Sequence, residues 1–335
     1  MLIKDMPWLT QAVTQLPEAF PQAMLIYGQA GLGKAALATG LAQSVLCEGD
    51  HGLGGFCGVC AACHLFDAGT HPDFRLLEPD SADSDSGEAA AEASAKSKRK
   101  KTQIPVSAIR ELLDLVSRTP YRGRAKVILI SPAEAMHPSA ANALLKMLEE
   151  PPPQTHFMLV AHQPRRLPAT ITSRCFRLPV AMPASELALQ WLAQHADDKR
   201  TELALAMVGY APIAALNLLE DSEFWAARDQ LVRCLGEGGD VLELAAFAEP
   251  MEPNRVAGLL AMWAYDLLAT QAGTGPRYHR DQAVAIGRIA RKISGVAVSV
   301  WHDRVLDYGR AAFHPLNRRL SLESLFAHYP GSAVR

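Results

Sequence analysis

Met24-Leu25-Ile26-Tyr27-Gly28-Gln29-Ala30-Gly31-Leu32-Gly33-Lys34-Ala35 decides the fold. An apolar run of strand type leads into a glycine-rich turn, and the turn opens a helix. The spacing is G-x-x-x-x-G-K, a P-loop. In such a turn backbone N–H groups face a phosphate, the helix N-terminus adds the positive end of its dipole, and the lysine sets a point charge beside the β/γ-phosphates. Gly28, Gly31, Gly33 and Lys34 are therefore the candidate nucleotide-binding residues. The next position ordinarily carries a hydroxyl that holds magnesium. Ala35 puts a methyl group there, and a hard cation wants oxygen ligands. The expectation is a vestigial phosphate cradle, a passive binder of ATP or ADP at most.

Upstream, a helical stretch around Trp8 to Leu16 reaches the P-loop strand through Pro17 and Pro21. Downstream, Leu37, Leu41 and Val45 recur every four residues and mark the buried face of a helix that ends near Cys47. Further on, Ile109, Leu112, Leu113 and Val116 form a second stripe, with Ser107 as its expected N-cap. Lys126 to Ile130 and Thr155 to Val160 are short β-branched or apolar runs of the kind buried in a parallel sheet. Between them Pro138 opens a helix that Pro151-Pro152-Pro153 stops. A last strand spans Cys175 to Leu178. Strands alternating with amphipathic helices predict a parallel α/β domain over residues 1–178, with the P-loop at the carboxyl end of its first core strand.

After Met182 the pattern is helical only. Residues 179–216 read as a small helical lid and 217–335 as a larger all-helical domain. Val256, Leu259, Leu260, Trp263 and Leu267 make one continuous apolar face. Trp225, Trp263 and Trp301 read as core side chains.

Four of the six cysteines, Cys47, Cys57, Cys60 and Cys63, lie in one short glycine-rich excursion. Tetrahedral zinc takes four thiolates, and C-x-x-C lets a tight turn present two sulfurs to one ion. Residues 47–63 therefore read as a structural zinc clip, with Cys47 as fourth ligand and His51 or His64 as substitutes for it. Four thiolates leave no open position for water, which argues against a catalytic metal. From about residue 79 to 102 no large apolar side chain occurs, and acids give way to the basic run Lys96, Lys98, Arg99, Lys100 and Lys101. Such a segment cannot offset its ordering entropy by burial and reads as a disordered loop.

The chain has 335 residues with 49% hydrophobic content and a formal net charge of −2, ample for cored domains and without the global basic field of a nucleic-acid binder. Met1 to Trp8 has no signal-peptide pattern, and no apolar run approaches membrane-span length. A soluble, cytoplasmic protein without membrane association is expected.

Asn142-Ala-Leu-Leu-Lys146-Met-Leu-Glu-Glu-Pro-Pro152 and Ser173-Arg174-Cys175 resemble paired signatures of the AAA+ clamp-loader subunits. The four-cysteine insertion and the tail Leu316 to Leu325 are similar to the same family. The resemblance implies a RecA-like AAA+ domain followed by a helical lid and a helical collar. It implies a place beside the loader's ATPase (gamma/tau) and delta subunits, with the sliding clamp and primer-template DNA reached through the assembly. It also implies that Arg174 is an arginine finger, reaching in trans to the nucleotide of the neighbouring subunit. Against that pattern Ala35 lacks the metal hydroxyl and Ser131-Pro132 stand where active relatives carry Asp-Glu. Ala214 stands where the phosphate-sensing arginine of the lid aligns. Three losses in one site imply a subunit that does not hydrolyse ATP. Two other functions fit parts of the chain: an autonomous P-loop ATPase, and a zinc-dependent DNA-binding protein.

Overall fold

A computed structural model describes residues 5–49, 51–52, 54–79, 103–122, 124–311 and 317–333. The segment 80–102, including the basic run, lies outside them. Two compact units divide the chain, Met1–Ala184 and Ser185–Arg335.

The first unit is built on five strands, β1 (Ala23–Tyr27), β2 (Phe74–Leu77), β3 (Lys126–Ile130), β4 (Thr155–Ala161) and β5 (Phe176–Pro179). Their spatial order is β2-β3-β4-β1-β5, with every pairing parallel. Among the described residues six α-helices accompany them: α1 (Pro7–Val13), α2 (Lys34–Leu46), α3 (Ala61–Asp67), α4 (Val106–Ser117), α5 (Pro138–Glu149) and α6 (Ala169–Thr172). β3 is buried along its whole length, which is why it reads as an unbroken apolar run rather than an alternating one. Leu25, Ile128 and Leu159 from the strands pack with Ile109 and Leu112 of α4 and Leu144 of α5. β1 sits between β4 and β5, so the chain leaves β1 for the far side of the sheet and later returns past it. That reversal opens a crevice at the carboxyl end of β1, where the P-loop lies.

One expected cap is displaced. Ile104 pairs with Met136 as an isolated bridge, its N–H donating to Ala135 O at 2.8 Å and its carbonyl accepting from His137 N at 3.0 Å. The backbone is thereby held extended up to Pro105, which becomes the N-cap of α4. Ser107 falls inside the first turn instead.

Among the described residues of the second unit every regular element is a helix, as the periodicity predicts: α7 (Ser185–His195), α8 (Thr201–Met207), α9 (Pro212–Glu220), α10 (Ser222–Glu237), α11 (Val241–Ala248), α12 (Pro253–Gln271), α13 (Ala283–Ala290), α14 (Gly295–Arg310) and α15 (Arg318–Ala327). Trp225, Trp263 and Trp301 are buried, and each indole N–H finds an acceptor: Leu218 O at 2.7 Å, Tyr329 Oη at 2.9 Å and Leu325 O at 3.1 Å. Among the described residues no single helix is long and apolar enough to cross a membrane.

The acid that interrupts the apolar run of α12 has a structural task. Asp266 is fully buried and accepts from the backbone N–H of Arg277 at 2.7 Å, of Tyr278 at 3.0 Å and of His279 at 2.7 Å, and from His279 Nδ1 at 2.9 Å. It folds the connection between α12 and α13 back onto the helix. Burial lowers the His279 pKa, with Asp266 opposing the shift. Removing the carboxylate strands several buried donors, a change that costs about 3–5 kcal/mol. Asp266→Ala is therefore expected to lower the melting temperature by about 10 °C, read by circular dichroism. A shift within 2 °C would show that water satisfies those donors equally well.

Candidate phosphate cradle, cysteine cluster and surface arginine

The P-loop turn is shaped by two backbone requirements. A Cβ on Gly28 would stand 2.5 Å from the Val180 carbonyl oxygen, and Gly33 caps α2 at φ 84°, in left-handed space. A third constraint comes from α1: Trp8 Nε1 donates to Leu32 O at 2.9 Å and pins the turn from below. Sequence reading placed Trp8 on a helix but did not connect it to the P-loop. No motif marks a contact across that separation.

Lys34 is almost wholly buried at 2% exposure, and its Nζ donates to Gln29 O at 2.5 Å. Burial pulls its pKa down to about 8, with the Glu134 carboxylate acting the other way. Glu134 follows the end of β3, just beyond Ser131-Pro132. Its Oε1 accepts from the N–H groups of His162 at 2.8 Å and Gln163 at 2.9 Å, while Oε2 is buried and has no hydrogen-bond partner among the described residues. His162 Nδ1 is likewise buried with no partner among the described residues, and burial together with Lys34 lowers the His162 pKa. Lys34, Glu134 and His162 thus share the crevice at the carboxyl ends of β1, β3 and β4. The sequence located Lys34. Neither Glu134 nor His162 falls at a motif position, so no local pattern marks them.

The four cysteines converge. Their sulfurs all lie within 4.8 Å of one another, with Cys47–Cys57 at 3.6 Å, Cys57–Cys63 at 3.9 Å and Cys47–Cys60 at 4.0 Å. Sulfurs at the corners of a tetrahedron of 2.3 Å metal bonds stand about 3.8 Å apart. Backbone N–H groups point at the sulfurs: Cys57 N to Cys47 Sγ at 3.3 Å, Cys60 N to Cys57 Sγ at 3.3 Å and Cys63 N to Cys60 Sγ at 3.4 Å. Such donors favour thiolate over thiol. Burial acts to raise the Cys60 pKa, but hydrogen bonds from the surrounding backbone and cysteines outweigh it and bring Cys60 down to about 6. Burial pushes its neighbour Cys63 up to about 12. Thiols this close compete for negative charge, and a divalent ion relieves that competition. The donor set can hold a metal ion, with Cys47 in the fourth corner; His51 and His64 are both exposed and outside the cluster.

Arg174 lies between α6 and β5. Its Nη2 meets Glu149 Oε1 at 2.8 Å, and Nη1 donates to Thr170 O at 3.0 Å. Glu149, the last residue of α5, belongs to the Asn142–Pro152 signature, so the two signatures quoted above meet at one surface ion pair. With side chains 37% and 50% exposed, that pair adds little stability. Ala214 is in the first turns of α9 and offers no cation.

Residues 9–183 match the family model described as DNA polymerase III, delta subunit. The chain is 40% identical over 217 residues to the DNA polymerase III subunit delta′ of Pseudomonas aeruginosa, an alignment covering 63% of this chain and 60% of that protein. It is 32% identical over 300 residues to the corresponding subunit of Yersinia pestis, covering 85% and 82%. Among solved structures, a DNA polymerase III gamma subunit-related protein of Thermotoga maritima aligns over 97% of this chain and 98% of its own, with 15% identity and a TM-score of 0.46.

Proposed function

Because the chain belongs to the DNA polymerase III delta′ family, we propose that it serves the clamp loader as a non-hydrolysing AAA+ stator. In this reading residues 179–216 form the lid and 217–335 the collar that closes one side of the assembly against gamma/tau and delta subunits. Arg174 leaves Glu149 and places its guanidinium on the γ-phosphate of the adjacent ATPase subunit, stabilising charge in the transition state while the loader places the sliding clamp on primed DNA in the cytoplasm. The four cysteines hold structural zinc, which would close the 47–63 excursion around four thiolates without joining the chemistry.

The observation that carries the non-hydrolysing part is the state of Lys34, folded onto the Gln29 carbonyl in a crevice where Ala35 brings no hydroxyl and Ser131-Pro132 bring no carboxylate. The purified chain, incubated with ATP and magnesium, is expected to release phosphate at the buffer rate, and Lys34→Ala to leave that rate unchanged. Turnover above background that disappears in Lys34→Ala would replace the stator with an autonomous ATPase.

A further inference from the structure

Three tyrosines and one arginine from separate parts of the helical unit gather on its surface. Tyr210 lies in the turn between α8 and α9, Tyr265 on α12, and Arg277 and Tyr278 in the connection from α12 to α13. The Arg277 guanidinium carbon stands 5.2 Å from the centre of the Tyr210 ring and 5.4 Å from that of Tyr278. The Tyr265 and Tyr278 rings meet edge to face, their centres 5.3 Å apart, and the Tyr265 hydroxyl shares a hydrogen bond with Arg277. Asp266 holds the backbone of Arg277 and Tyr278 from beneath, so the group is set in place before anything meets it.

Burial does not account for this arrangement. Arg277 is exposed, and Tyr265 is 46% exposed. Tyr210 adopts φ 68°, left-handed space that a bulky L-residue enters only against its own side chain, where glycine or asparagine would sit without strain. A strained residue of this kind persists where its side chain is used. The charge is also uncompensated: among the described residues no carboxylate pairs with Arg277. Asp266 is engaged by backbone N–H groups, Asp281 by Arg228 at 2.7 Å, and Glu202 by Arg280 at 3.6 Å.

Arginine and tyrosine are the residues on which protein interfaces concentrate their binding energy, and a guanidinium steadied by ring faces loses little freedom when it meets a carboxylate. We propose that Tyr210, Tyr265, Arg277 and Tyr278 form a docking surface for another polypeptide, one that sets a carboxylate side chain on Arg277 and an apolar side chain against the tyrosine rings. Nucleic acid fits less well, because its affinity grows with the number of phosphates neutralised and this surface brings a single uncompensated cation.

Two fluorescent nonapeptides, acetylated and amidated, test this on the full chain; one carries leucine-glutamate-leucine at its centre and the other leucine-glutamine-leucine. Anisotropy should show saturable binding of the glutamate peptide and about tenfold weaker binding of its glutamine twin, the difference a charge-assisted pair makes. Arg277→Lys keeps the charge but loses the planar fork and its stacking, and should weaken the glutamate peptide about tenfold. Tyr210→Gly relieves the backbone while removing a ring, so binding should fall about threefold with the melting temperature held within about 3 °C. A larger fall in melting temperature would make the cluster a structural clasp and overturn the proposal. Equal binding of the two peptides, affinity unchanged in both variants, or no saturation would overturn it as well. So would displacement of the glutamate peptide by oligothymidylate at lower concentration than by its own unlabelled form, which would make the surface one for single-stranded nucleic acid.

Discussion

In a clamp loader rebuilt from its separate subunits, Arg174→Ala is expected to slow ATP hydrolysis at the neighbouring site by about 10³-fold, the lower end of what an arginine supplied in trans contributes in GTPases. Single-turnover measurement with DNA present would show this as loss of one fast phase, since sites that do not face this subunit keep their rate. Arg174→Lys should recover only a small part, because an ammonium reaches the phosphate as a point charge and cannot bridge two of its oxygens. The observed bond to Glu149 supplies the control. If Arg174 serves only that surface pair, Glu149→Gln must be as harmful as Arg174→Ala. If the arginine acts next door, Glu149→Gln frees it and the fast phase survives. Both variants should melt within about 2 °C of the parent, because exposed ion pairs contribute 0–1 kcal/mol. An unchanged fast phase in Arg174→Ala would leave the arginine a structural residue.

Removal of the metal should have the other large effect, and a local one. Structural zinc sites bind with apparent free energies of about 10–16 kcal/mol in small peptides, and much of that is folding energy. Among the described residues the excursion is also tied by the Arg122–Glu48 ion pair, the bonds from Arg124 to the Cys47 and Gly49 carbonyls, a bond from Gly54 N to Ser44 Oγ at 3.3 Å, a bond from Gln43 to Asp67 at 2.9 Å, and the contact between the Phe66 and Phe74 rings at 4.6 Å. Metal analysis should find one zinc per chain, and Cys60→Ala should reduce this at least tenfold. Hydrogen exchange should then lose protection across α3 while β3 and β4, buried in the sheet, keep theirs. A metal-free protein whose α3 remains protected would mean that packing and hydrogen bonds alone hold the excursion.

Local patterns carried the sequence reading a long way. The strand before Gly28 and the buried runs at Lys126–Ile130 and Thr155–Val160 were legible because strands buried in a parallel sheet leave unbroken apolar stretches. The stripe from Val256 to Leu267 was legible because one face of a helix recurs every three or four residues. The cysteine cluster was legible because C-x-x-C brings its sulfurs together with little help from the rest of the fold. Ser107 misled because capping preference is weak against a tertiary pairing, here the bridge from Ile104 to Met136.

The identity of the elements, their alternation, the glycine-rich turn before α2 and the methyl group of Ala35 beside it were written in the order of residues, because backbone geometry and side-chain chemistry act within a few positions. Tertiary structure alone brought Trp8 under the P-loop, set Glu134 and His162 beside Lys34, turned Lys34 onto Gln29 and laid Arg174 against Glu149. Most of these pairings join residues separated by a strand or a helix. Even the close pair Lys34 and Gln29 depends on burial that distant strands provide. Which donor finds which acceptor is decided only when the sheet and the helices have packed.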